Sequence, residues 1–130
     1  MRWKRDQSIV PVLMFHSIGM GSVPWMWSEL SESVDTFEKV LTGLVKQGFR
    51  TVSLQDLYDH MSGVRRCPAN SIVLTFDDGY LDNWVNAVPL LRKHGMRGTV
   101  YVTPEFVQDG LELRPVAGDR PTQSSATKSD

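Results

Sequence analysis

Asp77 and Asp78 are the two residues of this 130-residue chain best placed to do chemistry. They close an apolar, β-branched run, Ser71-Ile72-Val73-Leu74-Thr75-Phe76, and are followed at once by Gly79 and Tyr80. Neighbouring carboxylates repel, and one is pushed toward protonation unless a cation compensates. A divalent metal would do so. One carboxylate could then bind it while the other takes a proton from the metal-bound water. Asp-Asp-Gly is also ordinary turn chemistry, and Asp is a favoured helix N-cap. The setting gives the functional reading its weight: a strand before the pair, a helical pattern after it.

That setting can be read element by element. An apolar run of this length reads as a strand buried on both faces, as in a parallel sheet. Gly79 gives the backbone freedom for a sharp exit turn. The acids therefore belong at the carboxyl end of a core strand, where open sheets and barrels of βα units keep their chemistry. Ser8 to Phe15 reads as another buried strand, with Pro11 near its start. Val12-Leu13-Met14-Phe15-His16 and Val73-Leu74-Thr75-Phe76-Asp77 match in pattern, so His16 is expected at the same end of the sheet as Asp77. A histidine at a strand end can equally be structural.

Met20 to Glu32 reads as an irregular loop carrying Trp25 and Trp27, which could stack on sugar rings or cover the core. Covering is the preferred role. Asp35 and Glu38 have the spacing of an N-cap and its reciprocal partner. Phe37, Val40, Leu41, Leu44 and Val45 then form a helical stripe that Gly48 ends. Arg50 to Ser53 is a short strand. Ser53 caps a second helix carrying Leu54, Leu57, Tyr58 and Met61. Leu81, Trp84, Val85, Val88 and Leu91 predict a third helix, kinked or restarted at Pro89. Gly98 to Thr103 is the fourth strand. The junctions around Gly48 and Gly95 resemble each other, as in repeated βα units. His60 and His94 fall near helix ends, where positive charge suits the dipole. From Gly118 onward the chain is polar and aperiodic, which predicts a disordered tail over 118–130.

Composition sets the outer bounds. The chain suffices for one domain with a core, and 41% of its residues are hydrophobic. A formal net charge of −1 gives no reason to expect nucleic acid or an anionic membrane as partner. Cys67 is the single cysteine, so no intramolecular disulfide forms. Neither a signal peptide nor a membrane span is evident, so a cytoplasmic location is expected.

The run Thr75-Phe76-Asp77-Asp78-Gly79-Tyr80 resembles the first signature of the polysaccharide deacetylases, carbohydrate esterase family 4, also called the nodulation-protein-B homology domain. Val10 to His16 and Phe37 to Leu54 also look like the amino-terminal half of that family, and the likeness covers roughly residues 8 to 107. It implies an α/β fold, a partial and unclosed (β/α) barrel with about four parallel strands and flanking helices. It implies a truncated catalytic domain over 1–117. The implied reaction is metal-dependent hydrolysis of N-acetyl groups on an amino-sugar polymer. Asp77 would be the general base and Asp78 a ligand to zinc, cobalt or nickel. His16, Tyr80, Trp25 and Trp27 would contact substrate or support the acids. The family's His-(Ser/Thr)-x-x-His metal motif has no counterpart here, since only His16, His60 and His94 are present. The site is thus expected to be incomplete and the chain inactive, with a missing carboxyl-terminal half among its partners. The alternative is a non-catalytic βα module that binds sugar or a partner chain. A phosphoryl-transfer enzyme would want a second acid two positions after the first, where Gly79 stands.

Overall fold

A computed structural model describes residues 9–19 and 30–104. The centre is β5 (Ser71–Phe76), all six residues of which are buried. β1 (Val12–Phe15) pairs with it in parallel, Val12 opposite Val73 and Phe15 opposite Phe76. On its other side β4 (Arg50–Thr51) pairs with its first two residues and β6 (Thr99–Val100) with its last two, also in parallel. Hydrogen-bond alternation fixes these sides. The N–H groups of Val73 and Asp77 donate to the Pro11 and Phe15 carbonyls, whereas the Ile72 and Phe76 carbonyls accept from Val52 and Tyr101. The Arg97 N–H donates to the Thr51 hydroxyl at 2.9 Å, joining the two short strands. This is the expected α/β architecture: four parallel strands with helices, and no closed barrel among the described residues.

One face of the sheet makes the core. Leu74 and Phe76 share it with their register partners Leu13 and Phe15, and α1 (Val34–Lys46) covers it with Phe37, Leu41 and Leu44. Phe37 stands edge-on to Phe15 and Phe76, with ring centroids 5.1 and 5.8 Å away. The other face is partly open. Val73 and Thr75 are covered, but Val12 and Met14 beside them are 50% and 60% exposed. The expectation of a fully buried first strand therefore holds for one face only, and the strand is shorter, starting at Val12. Such a half-covered parallel sheet is unusual, because parallel sheets normally carry cover on both faces.

The helices correct several expectations. α1 is capped by Ser33, whose hydroxyl accepts from the Thr36 N–H, and not by Asp35. In α2 (Leu54–Met61) no residue is fully buried, and the Tyr58 and Met61 side chains face solvent. Its start is as expected, with Ser53 and Asp56 forming a capping box. After Tyr80 come two α-helical residues, Leu81 and Asp82, then a π-helical stretch (Asn83–Ala87), then α3 (Val88–Lys93) with Pro89 in its first turn. The Val88 N–H reaches back to the Asn83 carbonyl, five residues away. Proline has no N–H and crowds the preceding turn, so widening that turn lets the chain enter α3 unbroken. The wider turn also rotates the faces. Asn83, Ala87 and Leu91 are buried, while Leu81, Trp84 and Val85 are exposed, against the expected stripe.

The loop expected from Met20 to Glu32 ends in a short strand. β3 (Ser31–Glu32) pairs in parallel with β2 (Ser17–Ile18). Arg50–Thr51 and Thr99–Val100 are shorter than the strands expected there, each pairing with only two residues of β5, at its two ends. The repeated helix endings are confirmed. Phe49, Val64 and Met96 each donate a backbone N–H five residues back, after Gly48, Gly63 and Gly95 at positive φ. Trp25, Trp27 and the tail over 118–130 lie outside the described residues.

Candidate functional site

Asp77 follows the last residue of β5 and is half-buried, its N–H bonded to the Phe15 carbonyl at 2.9 Å. Asp78 comes next with φ +69°, a left-handed conformation that is uncommon for residues other than glycine. Gly79 repeats it at φ +68°, and a Cβ there would come within 3.1 Å of the Val102 side chain. The turn is thus pressed against the segment after β6. Both carboxylates line a groove of about 490 Å³ with Val12, Met14, Thr75, Tyr101 and Val102. It runs over the sheet face that the helices leave open, since Met14 and Thr75 are register partners. A second hollow, about 450 Å³, lies along α1 between residues such as Asp35, Lys39 and Lys46, remote in sequence from these acids.

His16 falls where the matched strand ends predict. Its Nε2 is 3.9 Å from Asp77 Oδ2, a distance for charge attraction but not for a hydrogen bond. It is not among the groove-lining residues. Tyr80 is half-buried behind the turn, where its carbonyl accepts from the Asn83 N–H at 3.1 Å. His94 lies 3.5 Å from Glu38, and His60 accepts the Cys67 N–H at 3.0 Å through Nδ1. Both histidines serve the scaffold. Burial pushes the Cys67 thiol up, and its Sγ approaches the Asp56 carbonyl at 3.4 Å, so it stays a thiol.

Three contributors were invisible in the apolar periodicity. Tyr101, 50% exposed, gives the groove an aromatic wall. Asp82 accepts a hydrogen bond from Ser17, and Asn86 donates to the Ile18 carbonyl at 2.7 Å. Polar residues four apart just after Asp77-Asp78-Gly79 were the available signal for the last two.

The described residues do not make a full metal centre. Among the described residues no three His, Cys, Asp or Glu side chains group so as to hold an ion. Catalytic zinc usually has three protein ligands. The pair at the end of β5 offers fewer.

Paired carboxylates at the carboxyl end of a parallel strand, beside a groove, stand where open α/β sheets commonly bind ligands. A family model described as polysaccharide deacetylase matches residues 65–124. A putative polysaccharide deacetylase, YxkH of Bacillus subtilis, is 30% identical over 93 residues, which is 72% of this chain and 31% of that protein. The Streptococcus pyogenes deacetylase PplD, solved in complex with acetate, superposes with a TM-score of 0.61 at 27% identity. That match covers 72% of this chain and 42% of PplD. A de-N-acetylase from Aggregatibacter actinomycetemcomitans shares the fold, with a TM-score of 0.68 at 22% identity over 83% of this chain and 43% of the other. Over residues 65–124 the chain is similar to the polysaccharide deacetylase family, and these relatives and structural neighbours are deacetylases. It spans about a third of the curated relative it matches.

Proposed function

We propose that this chain carries the carboxylate pair of an enzyme that hydrolyses N-acetyl groups on an amino-sugar polymer. The observation that supports it is the position of Asp77 and Asp78 together on one turn, at the head of the buried strand and in the wall of an open groove. In this reading Asp77 takes the proton of the water that attacks the amide carbonyl, and carboxylate bases suit that task when held within reach of the water. Asp78 is the residue that would ligate a divalent cation of the zinc, cobalt or nickel class, which would polarise the amide carbonyl. The described residues supply too few ligands to hold that ion by themselves. Tyr80 and His16 support the pair from behind and beside it. The domain is read as 1–117, and the substrate as an N-acetylated polymer or oligosaccharide.

A weak cation site predicts a chain that turns nothing over by itself. The test is acetate release from N-acetylglucosamine oligomers with added zinc, cobalt or nickel. No release is expected from the isolated chain. Robust release abolished by Asp77→Asn would keep the assignment of Asp77 and overturn the claim of inactivity.

The exposed apolar side chains beside the acids favour a second reading, a βα module that binds sugar or a partner chain without catalysis. Calorimetry with the same oligomers separates the two. Binding unchanged by Asp77→Asn and Asp78→Asn would favour the module.

A further inference from the structure

We propose that Ser17, Asp82 and Asn86 are positioning residues, forming a clamp that holds His16 against Asp77. His16 is a single residue between two anchors. On its amino side the Phe15 carbonyl accepts the Asp77 N–H at 2.9 Å. On its carboxyl side the Ser17 hydroxyl donates to Asp82, five residues beyond Asp77. The two anchors grip the Asp77-Asp78-Gly79 turn from before and after. One residue further on, the Asn86 amide donates to the Ile18 carbonyl at 2.7 Å.

Gly19 shows that this approach is close. A Cβ on Gly19 would lie 2.5 Å from Asn86 Nδ2, and its φ is +103°. The contact needs a residue without a side chain there. The surroundings are dry, since Ser17 and Ile18 are buried, and hydrogen bonds out of water hold geometry more firmly. The second Asp82 oxygen is buried with no partner among the described residues, so that carboxylate depends on Ser17 for its compensation. Asp82 immediately precedes the widened turn over Asn83–Ala87 and Asn86 lies within it, so that turn sets their directions, and π-helical turns often occur at functional sites. The backbone after His16 is otherwise held by its pairing with β3 and by Ile18 in the core, neither of which touches the Asp77-Asp78-Gly79 turn directly.

The clamp matters to function only if His16 and Asp77 act together, so it rests on the reading above. Its test does not need turnover. The His16 ring resonances are recorded by NMR at one fixed pH, with and without Asp77→Asn, in the native chain and in clamp variants. In the native chain Asp77→Asn shifts the His16 ring signals. In Ser17→Ala and in Asn86→Ala that response is lost. Asp82→Asn, which keeps an oxygen acceptor for Ser17, retains it. Ser33→Ala, which removes the cap of α1 just after β3 and destabilises without breaking a hydrogen bond of the clamp, also retains it. The proposal is overturned if the response survives in folded Ser17→Ala and Asn86→Ala, if Ser33→Ala loses it equally, or if the native chain shows none. Should one alanine variant not fold, the other decides the same question. Failure of the acetate assay would leave these outcomes unchanged, so the two readings fail separately.

Discussion

Asp78 carries a conformational cost as well as a charge. A non-glycine residue at φ +69° is strained by about 1 kcal/mol, less for Asp than for branched side chains. Strain of this kind persists where surrounding structure enforces it, and here the turn is braced on one side by Val102 and on the other by the Phe15 carbonyl. Asp78→Gly is therefore expected to raise stability, by up to about 1 kcal/mol. Asp78→Val should lower it by about 1–2 kcal/mol. Urea melts of the two variants check this, and a Gly variant less stable than the native chain would show that the carboxylate itself stabilises the turn. At this scale the acids were legible because the residue types, the glycine and the preceding strand all pointed one way. The left-handed Asp78 was not, since Asp tolerates several turn conformations.

Elements were legible where one face decides the outcome. β5 and α1 follow their patterns because burial selects apolar residues on both faces of β5 and along one stripe of α1, and the helix-ending glycines because each sits at positive φ. The third helix and its restart at Pro89 were legible, and Leu91 is buried as expected, but the widened turn before Pro89 turns Leu81, Trp84 and Val85 off the core. The cap of α1 was misplaced by two residues because Ser33 and Asp35 both precede helical sequence, and the hydroxyl reached the Thr36 N–H. Ser33→Ala is expected to cost about 1 kcal/mol and Asp35→Ala less, measured by chemical denaturation. The capping box of α2 brings a pH dependence. Hydrogen bonds from the Ser53 side chain and backbone hold the Asp56 carboxyl below the usual carboxylate range, helped by Arg65. Its folded pKa lies below the unfolded one. The stability it contributes is complete above the ordinary carboxylate range and is lost as pH falls through the depressed value. The thermal midpoint should therefore drop on acidification below about pH 4, and the drop should be smaller in Asp56→Asn. An equal drop in both chains would remove Asp56 from the account.

Across the whole molecule the two sheet faces differ in what they cost to change. Phe15 lies in the ring cluster, so Phe15→Ala should cost about 3–5 kcal/mol. Its neighbour Met14 points to the open face, and Met14→Gln should change stability by less than about 0.5 kcal/mol. A large loss at Met14 would mean that this face is covered in solution. The same face carries Asp77 and Asp78, and solved deacetylases are more than twice as long as the part this chain matches. The sequence likeness and the fold agree on the family, and the paired acids hold their place at the strand end. The most direct measurement grafts residues 9–104 into PplD in place of the matching segment and assays acetate release from an N-acetylated amino-sugar oligomer. The account predicts that a chimera with a cooperative melt releases acetate and that Asp77→Asn abolishes the release. A folded chimera equally active with Asn at position 77 would contradict it.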